Sequence, residues 1–293
     1  MKDVILTGLR GNVGNLVLKA LSSRMLDVAV YEPIPKAGSH KYRDGLICLA
    51  EKTGARVIMP VFFPEVVAHW KNDLPSSVIL ATETEEKLSL LDNKVTASSL
   101  AGECGVPQPE IYTSADEVRE FPCVFKRATG LGGSAVYFPK TRAALDNLLA
   151  KAGRRNPYLI MDFIEGYDCS VDAIRFGDYF EAVAYRILLP KQKGFSYVRM
   201  TVPAPELIEY ARTILEKADY NGVCGMDFRV GRDGRVYFLE CNPRFSGGLR
   251  STLGAGLNLP YLLYQLHTGE TPSPSRISRH GLSVDWERLL HKG

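Results

Sequence analysis

Two adjoining runs near the C-terminus constrain this chain most. Gly225-Met226-Asp227-Phe228-Arg229-Val230 leads through a glycine turn into Tyr237-Phe238-Leu239-Glu240-Cys241-Asn242-Pro243-Arg244. Aromatic and β-branched residues fill both, so they read as the two strands of a hairpin. Residues i and i+2 of a strand share a face, which sets Glu240 beside Asn242 and lets the hairpin bring Asp227 across from them. Three oxygen donors on one face, two of them anionic, suit a hard divalent cation such as Mg²⁺, with Mn²⁺ as an alternative. Mg²⁺ usually keeps some waters and bridges to substrate phosphates, so this face suggests a nucleotide-phosphate site. Arg244 has the same parity and could reach a phosphoryl oxygen. A surface hairpin with a wet polar side is the competing reading, and the hairpin alone leaves the two balanced. The apolar flanks Phe228, Val230, Tyr237 and Leu239 favour a core sheet, where carboxylates need a partner.

Residues 1–90 alternate strand and helix. Val4–Thr7, Val28–Tyr31, Arg56–Met59 and Val78–Leu80 read as strands, and Asn15–Arg24 and Arg43–Thr53 as helices. That is the rhythm of a parallel, doubly wound sheet. Between the first strand and helix, Gly8, Gly11 and Gly14 form G-x-x-G-x-x-G, and Glu32 follows the second strand. A nicotinamide dinucleotide would use such a loop, but the closely spaced G-x-G that admits a pyrophosphate is absent. A packing or small-substrate role is the stronger reading.

A second glycine loop, Thr129-Gly130-Leu131-Gly132-Gly133-Ser134, follows Lys126 at the end of the apolar strand Pro122–Lys126. A lysine beside backbone N–H groups can clamp a polyphosphate. Alone, the loop could equally be a hairpin turn. Further on, the strand Tyr158–Phe163 runs into Ile164-Glu165-Gly166, where backbone groups of Asp162, Phe163 and Ile164 could meet an adenine edge and Asp168 could accept from ribose hydroxyls. Antiparallel strands fill residues 168–250, with helices expected at about Glu206–Ala218 and at Leu257–Leu266.

Composition narrows the partners. A formal net charge of +3 over 293 residues is too small for nucleic acid to be the main one. No apolar stretch approaches membrane-spanning length. The six cysteines form no C-x-x-C pair, which points to reduced core thiols and a cytoplasmic protein.

Taken in order, these pieces resemble the ATP-grasp superfamily. They are the N-terminal α/β unit, Asp92-Asn93-Lys94, the Lys126 strand with its glycine loop, the Asp-Phe-Ile-Glu-Gly linker with Asp168, and Asp227 followed by Glu240-x-Asn242-Pro243-Arg244. They are most similar to its carboxylate–amine ligase and carbamoyl-phosphate-synthase-like branch. The resemblance implies an α/β and α+β fold, with an N-terminal Rossmann-like parallel sheet (1–92), a central lid subdomain with its linker helix (93–165) and a C-terminal subdomain carrying the metal site (166–293). It implies that Lys94, Lys126 and the loop Gly130, Gly132, Gly133 and Ser134 contact ATP phosphates. Asp162, Phe163 and Ile164 would meet adenine, Asp168 the ribose, and Asp227, Glu240 and Asn242 Mg²⁺. Arg244, with Lys126, would serve the transferring phosphoryl group.

Among the basic residues between Asp168 and Asp227, Arg186 and Arg199 are the candidates for catalysis or substrate binding, ahead of Lys191 and Lys193. Arg250 beyond Gly248 could pair with a carboxylate. The implied reaction activates a small carboxylate as an acyl phosphate for attack by an amine or other nucleophile, releasing ADP and phosphate; a homodimer is compatible with it. An ATP-grasp kinase, a non-enzymatic nucleotide sensor and, last, a dinucleotide oxidoreductase are the alternatives.

Overall fold

The structure is a computed structural model that describes residues 2–9, 11–32, 40–128, 136–152, 158–190, 196–278 and 281–284. Four strands, β1 (Val4–Thr7), β2 (Val28–Tyr31), β3 (Val57–Pro60) and β4 (Ile79–Leu80), form a parallel sheet in the order β2-β1-β3-β4. The period-2 alternation of β1 and β3 assigns each face its helices. Val4, Leu6, Val57 and Met59 pack with Val13, Val17 and Leu21 of helix α1 (Gly11–Ser22). Ile5 and Ile58 pack on the other side with Tyr42, Leu46 and Ala50 of helix α2 (His40–Thr53), joined by Val67 of helix α3 (Pro64–Ala68).

Helix α1 starts four residues before the expected Asn15, which corrects the long glycine loop. Among the described residues of the turn, Gly8 is the one with a left-handed backbone, at φ 73°. Gly14 lies inside the helix, where a Cβ would crowd Leu9. The Leu9 N–H donates to Glu32 Oε1 at 2.5 Å, so that carboxylate ties the first turn to the second strand.

Helices α4 (Glu85–Asp92) and α5 (Lys94–Glu103) meet at Asn93, whose side chain accepts the Val95 N–H at 2.9 Å and caps α5. A second sheet follows, antiparallel in the order β5-β8-β6-β7: β5 (Ile111–Tyr112), β6 (Cys123–Arg127), β7 (Val136–Tyr137) and β8 (Tyr158–Asp162). Helix α6 (Arg142–Ala152) covers one face through Leu145, packed on Phe125 and Ile160.

The third sheet has six strands in the order β13-β12-β9-β10-β11-β14. They are β9 (Gly166–Phe176), β10 (Tyr179–Pro190), β11 (Ser196–Thr201), β12 (Gly222–Gly231), β13 (Val236–Asn242) and β14 (Gly281–Val284), every neighbour pair antiparallel. One face, with Cys169, Val171, Met226, Phe228 and Phe238, packs against α4, α5 and helix α7 (Pro205–Lys217). On the opposite face, Ile174, Val183 and Val223 pack against helices α8 (Leu249–Gly254) and α9 (Leu259–Thr268) and, through them, α1. Helix α9 opens two residues after the expected Leu257, because Asn258 Oδ1 accepts the Tyr261 N–H at 3.1 Å and caps it there. All six cysteines are free thiols.

The backbones of β9 and β12 approach so closely that a Cβ on Gly166 would overlap the Val230 carbonyl oxygen. Gly166→Ala should therefore cost about 2 kcal/mol or more of stability. Gly254→Ala, with nothing within 4 Å of the added carbon, should change it by less than about 1 kcal/mol. Urea denaturation of both variants checks the contrast.

Candidate functional site

A β-bulge creates the site. In β12, Met226 and Phe228 face the core, so Asp227 and Arg229 between them face away. In β13, Val236 and Phe238 face the same core, yet so does Cys241 three residues later. Strict alternation cannot do this; the parity must slip by one. The register supplies the slip: Phe228 opposes Phe238, Asp227 opposes Glu240, and Leu239 is the extra residue between them. Past the bulge, Glu240 and Asn242 face the same way as Asp227. Without it they would share a face with Phe238.

The bulge also frees a carbonyl. Lys126, 5% exposed on β6, donates from Nζ to the Leu239 oxygen at 2.9 Å. Lys94, first residue of α5 and likewise buried, pairs through Nζ with Glu240 Oε2 at 3.3 Å. Its own N–H donates to the Ala128 carbonyl at 2.8 Å, tying α5 to the end of β6. Two lysines thus arrive from two elements on one side of the carboxylate pair.

That asymmetry separates the two carboxylates. Burial pushes the Glu240 carboxyl up, but Lys94 and Lys126 outweigh it and hold it below the usual range. Asp227 is pushed up to about 7 by burial and then by Glu240, and Arg199 only partly opposes this. Burial brings Lys126 down to about 8, against the pull of Glu240. With Asp227 at about 7 and Glu240 held low, the pair carries about half a proton at pH 7, where two free carboxylates would carry almost none.

On the far side of Glu240, Asn242 donates from Nδ2 to Glu240 Oε1 at 3.4 Å and accepts from Arg244 Nη2 at 2.7 Å. The Arg244 guanidinium lies 5.7 Å from the ring centroid of Phe62. Burial lowers its pKa, against Asp92, Glu240, Asp227 and Glu65. Desolvation raises the Asp92 and Glu65 carboxyls in turn, with Arg244 opposing. Phe62, Glu65 and Asp92 were not among the expected site residues. Only Asp92, beside Asn93-Lys94, carried a sequence signal.

The 162–168 segment gathers around Arg229, another residue the sequence reading left without a role. Arg229 donates to the Ile164 carbonyl at 2.5 Å, to Asp168 Oδ1 at 2.6 Å and to the Gly166 carbonyl at 3.2 Å, with its guanidinium 5.4 Å from the Phe163 ring centroid. Asp162 turns its carboxylate to the Tyr112 hydroxyl and gives its N–H to the Glu110 carbonyl at 3.0 Å.

Arg199 and Arg186 do not share a face. Register places Tyr185 opposite Ser170, Ser170 opposite Asp227 and, on β11, Thr201 opposite Tyr185; Arg199, two residues before Thr201, shares that face. Arg186 falls on the face of Cys169 and Phe228, exposed, with its guanidinium 4.0 Å from the Tyr167 ring centroid. This corrects the expectation that Arg186 serves catalysis together with Arg199: it lies on the face of the sheet away from Asp227. Gly130, Gly132, Gly133, Ser134, Lys191 and Lys193 lie outside the described residues.

Among the described residues no three His, Cys, Asp or Glu side chains converge as a metal cluster. The donor set is two facing carboxylates and the Asn242 amide. Its hard oxygen donors fit a divalent ion that takes its remaining ligands from water and phosphate.

Comparison with known proteins bears on this arrangement. A family model described as ATP-grasp in the biosynthetic pathway with Ter operon matches residues 154–289. The chain is 26% identical over 290 residues to the biotin-dependent acyl-coenzyme A carboxylase alpha3 subunit of Mycobacterium leprae, covering 82% of this chain and 48% of the relative; it spans about half the length of that protein. The biotin carboxylase domain dimer of Hydrogenobacter thermophilus 2-oxoglutarate carboxylase, in complex with MgADP, ADP and bicarbonate, superposes with a TM-score of 0.75 at 18% identity, over 96% of this chain and 73% of that one. Carboxyaminoimidazole ribonucleotide synthase of Aspergillus clavatus, complexed with ATP, gives 0.74 at 14% identity, over 97% and 81%.

The Asp227 carboxyl makes a signed prediction for metal-free protein. Its folded pKa of about 7 lies above the ordinary 3.8, so its contribution is fully present below pH 3.8 and is lost as pH rises through about 7. Asp227→Asn should remove that loss. Relative to wild type, the variant should gain stability progressively between these two pH values, which chemical denaturation in EDTA measures.

Proposed function

We propose that this chain, which belongs to the ATP-grasp superfamily, transfers the γ-phosphoryl group of ATP to a small acid and passes the activated acyl group to an amine or other nucleophile, releasing ADP and phosphate. The observation that carries the reading is the arrangement of the charges. Lys94 reaches one oxygen of Glu240 and Lys126 the adjoining Leu239 carbonyl, while Asn242 links the other oxygen of Glu240 to Arg244. Phosphoryl transfer asks for positioning and for neutralisation of crowded oxygens more than for covalent help, and these residue types supply both.

In this reading Lys94 and Lys126 neutralise phosphate oxygens. Their own charges are restrained by Glu240 and the Leu239 carbonyl, which keeps both heads in place. Asp227 and Glu240, with Asn242, hold Mg²⁺, which supplies charge neutralisation at the phosphates when bound. Arg244, fixed by Asn242 and Phe62, stabilises charge on the transferring group. The base and ribose lie along 162–168, in the segment that Arg229 gathers.

An acid as acceptor is supported by the relatives, which are named as carboxylases and a synthase, one of them in complex with bicarbonate and MgADP. That neighbour is a domain dimer, which favours a homodimer here too. No helix among the described residues is long and apolar enough to cross a membrane.

The test is nucleotide turnover with Mg²⁺ across pools of small carboxylic acids and bicarbonate, resolving ADP from AMP. ADP release should depend on the acid, and hydroxylamine should trap a carboxylic acyl phosphate as its hydroxamate. Glu240→Gln should slow release by about 100-fold or more. AMP as product would sink the mechanism. ADP release with a stably phosphorylated product would make the chain a kinase instead.

A further inference from the structure

Beyond the metal face, the same side of the six-stranded sheet carries a buried polar group that the proposed mechanism does not use. Asp172, 1% exposed, lies two residues along β9 from Ser170, the register partner of Asp227. Its Oδ2 accepts from Thr252 Oγ1 at 2.5 Å and stands 3.9 Å from Arg199 Nη1. Its Oδ1 is buried with no hydrogen-bond partner among the described residues, as is Ser170 Oγ. A carboxylate taken out of water to this degree is costly unless a cation faces it. The cation facing it is Arg199, whose side chain is 11% exposed.

Two other contacts fix the guanidinium. It lies 5.7 Å from the ring centroid of Tyr185, itself 1% exposed. It also lies against Gly248, where a Cβ would overlap Nη1. Gly248 has φ −90°, an angle open to any residue, so its backbone does not require glycine. What requires glycine there is the arginine.

We infer that Asp172 and Gly248 are positioning residues that hold the Arg199 guanidinium in front of Asp227 as a seat for an anionic oxygen, a carboxylate or phosphate of the reacting pair. The nature of that anion rests on the reading proposed above; the geometry of the seat does not. Carboxylate, ring and glycine act on Arg199 from three elements, β9, β10 and the turn before α8. A surface ion pair is not built in this way; a guanidinium that must not move is. The arrangement also keeps positive charge on the side of Asp227 away from the two lysines.

The test uses the full chain and two readouts. Inorganic phosphate is titrated calorimetrically into protein saturated with MgADP, and ADP release is followed against acid and MgATP concentration. Gly248→Ala preserves every charge and Asp172→Asn preserves shape. Each should weaken phosphate and raise KM for the acid by about tenfold or more, the worth of one charge-assisted contact. MgADP affinity and KM for MgATP should stay within about twofold. Adding Arg199→Lys to Gly248→Ala should recover part of the phosphate affinity, because an ammonium has no fork to collide with the new methyl group.

Phosphate affinity unchanged in Gly248→Ala, or no phosphate binding by wild type, would overturn the inference. So would a parallel loss of MgADP, the mark of a disrupted sheet. If no acid elicits ADP from wild type, the ligase reading fails while the calorimetric comparison still decides the seat.

Discussion

The hydrogen bond from Lys126 Nζ to the Leu239 carbonyl is the contact on which the arrangement depends. It exists because Leu239 is an extra residue, and the same residue turns Glu240 and Asn242 to the face of Asp227 while Val236 and Phe238 stay in the core. One irregularity therefore meets three demands: an apolar back for the sheet, a polar front, and a bond that joins the front to the neighbouring sheet. A regular hairpin could satisfy only the first two, and only with a different apolar pattern. Bulges recur beside active sites for this reason.

From that geometry follows the inequality of the two carboxylates. They oppose each other across β12 and β13, yet the lysines act on Glu240 from α5 and β6, whereas Asp227 has Arg199 as its opposing cation, with Asp172 and Asp168 adding to the push upward. Like charges this close separate into one member that stays ionised and one that keeps its proton near neutrality. A divalent ion suits such a pair better than a second lysine would, since it serves both at once and leaves with its ligands unchanged. The restraint on Lys126 works in the same direction, because burial makes its charge costly until an anion arrives.

Much of this was legible in the residues. Val4–Thr7 and its followers announced a parallel sheet through their apolar runs, and Glu240 and Asn242 announced a shared face through their spacing; that Asp227 shares it depends on the bulge at Leu239, which spacing does not reveal. The family resemblance then ordered the pieces. What escaped was whatever depends on contacts between segments far apart in the chain. Arg229 lies on the parity of Asp227 but gathers residues 163–168 from some sixty positions away, which no local pattern reveals. Asp92 and Glu65 come to Arg244 from the helices of the N-terminal half. Arg186 misled because a loop full of basic residues looks uniform in sequence, whereas a pleated strand sends neighbours to opposite sides. The start of α1 was misjudged for a local reason: a run of glycines looks like a loop, but among the described residues of the turn only Gly8 is left-handed.

The last strand carries a consequence of its own. β14 pairs Ser283 with Arg199 and closes the six-stranded sheet beside β11. A chain ended before residue 281 would leave β11 as the outermost strand, its peptide groups open to any extended segment that met them. Such a shortened protein would gain a sticky margin and lose the flank of Arg199 together. Purification tags and fusion partners are therefore better joined at the N-terminal end, and self-association in a trimmed preparation would report on this margin rather than on a native assembly.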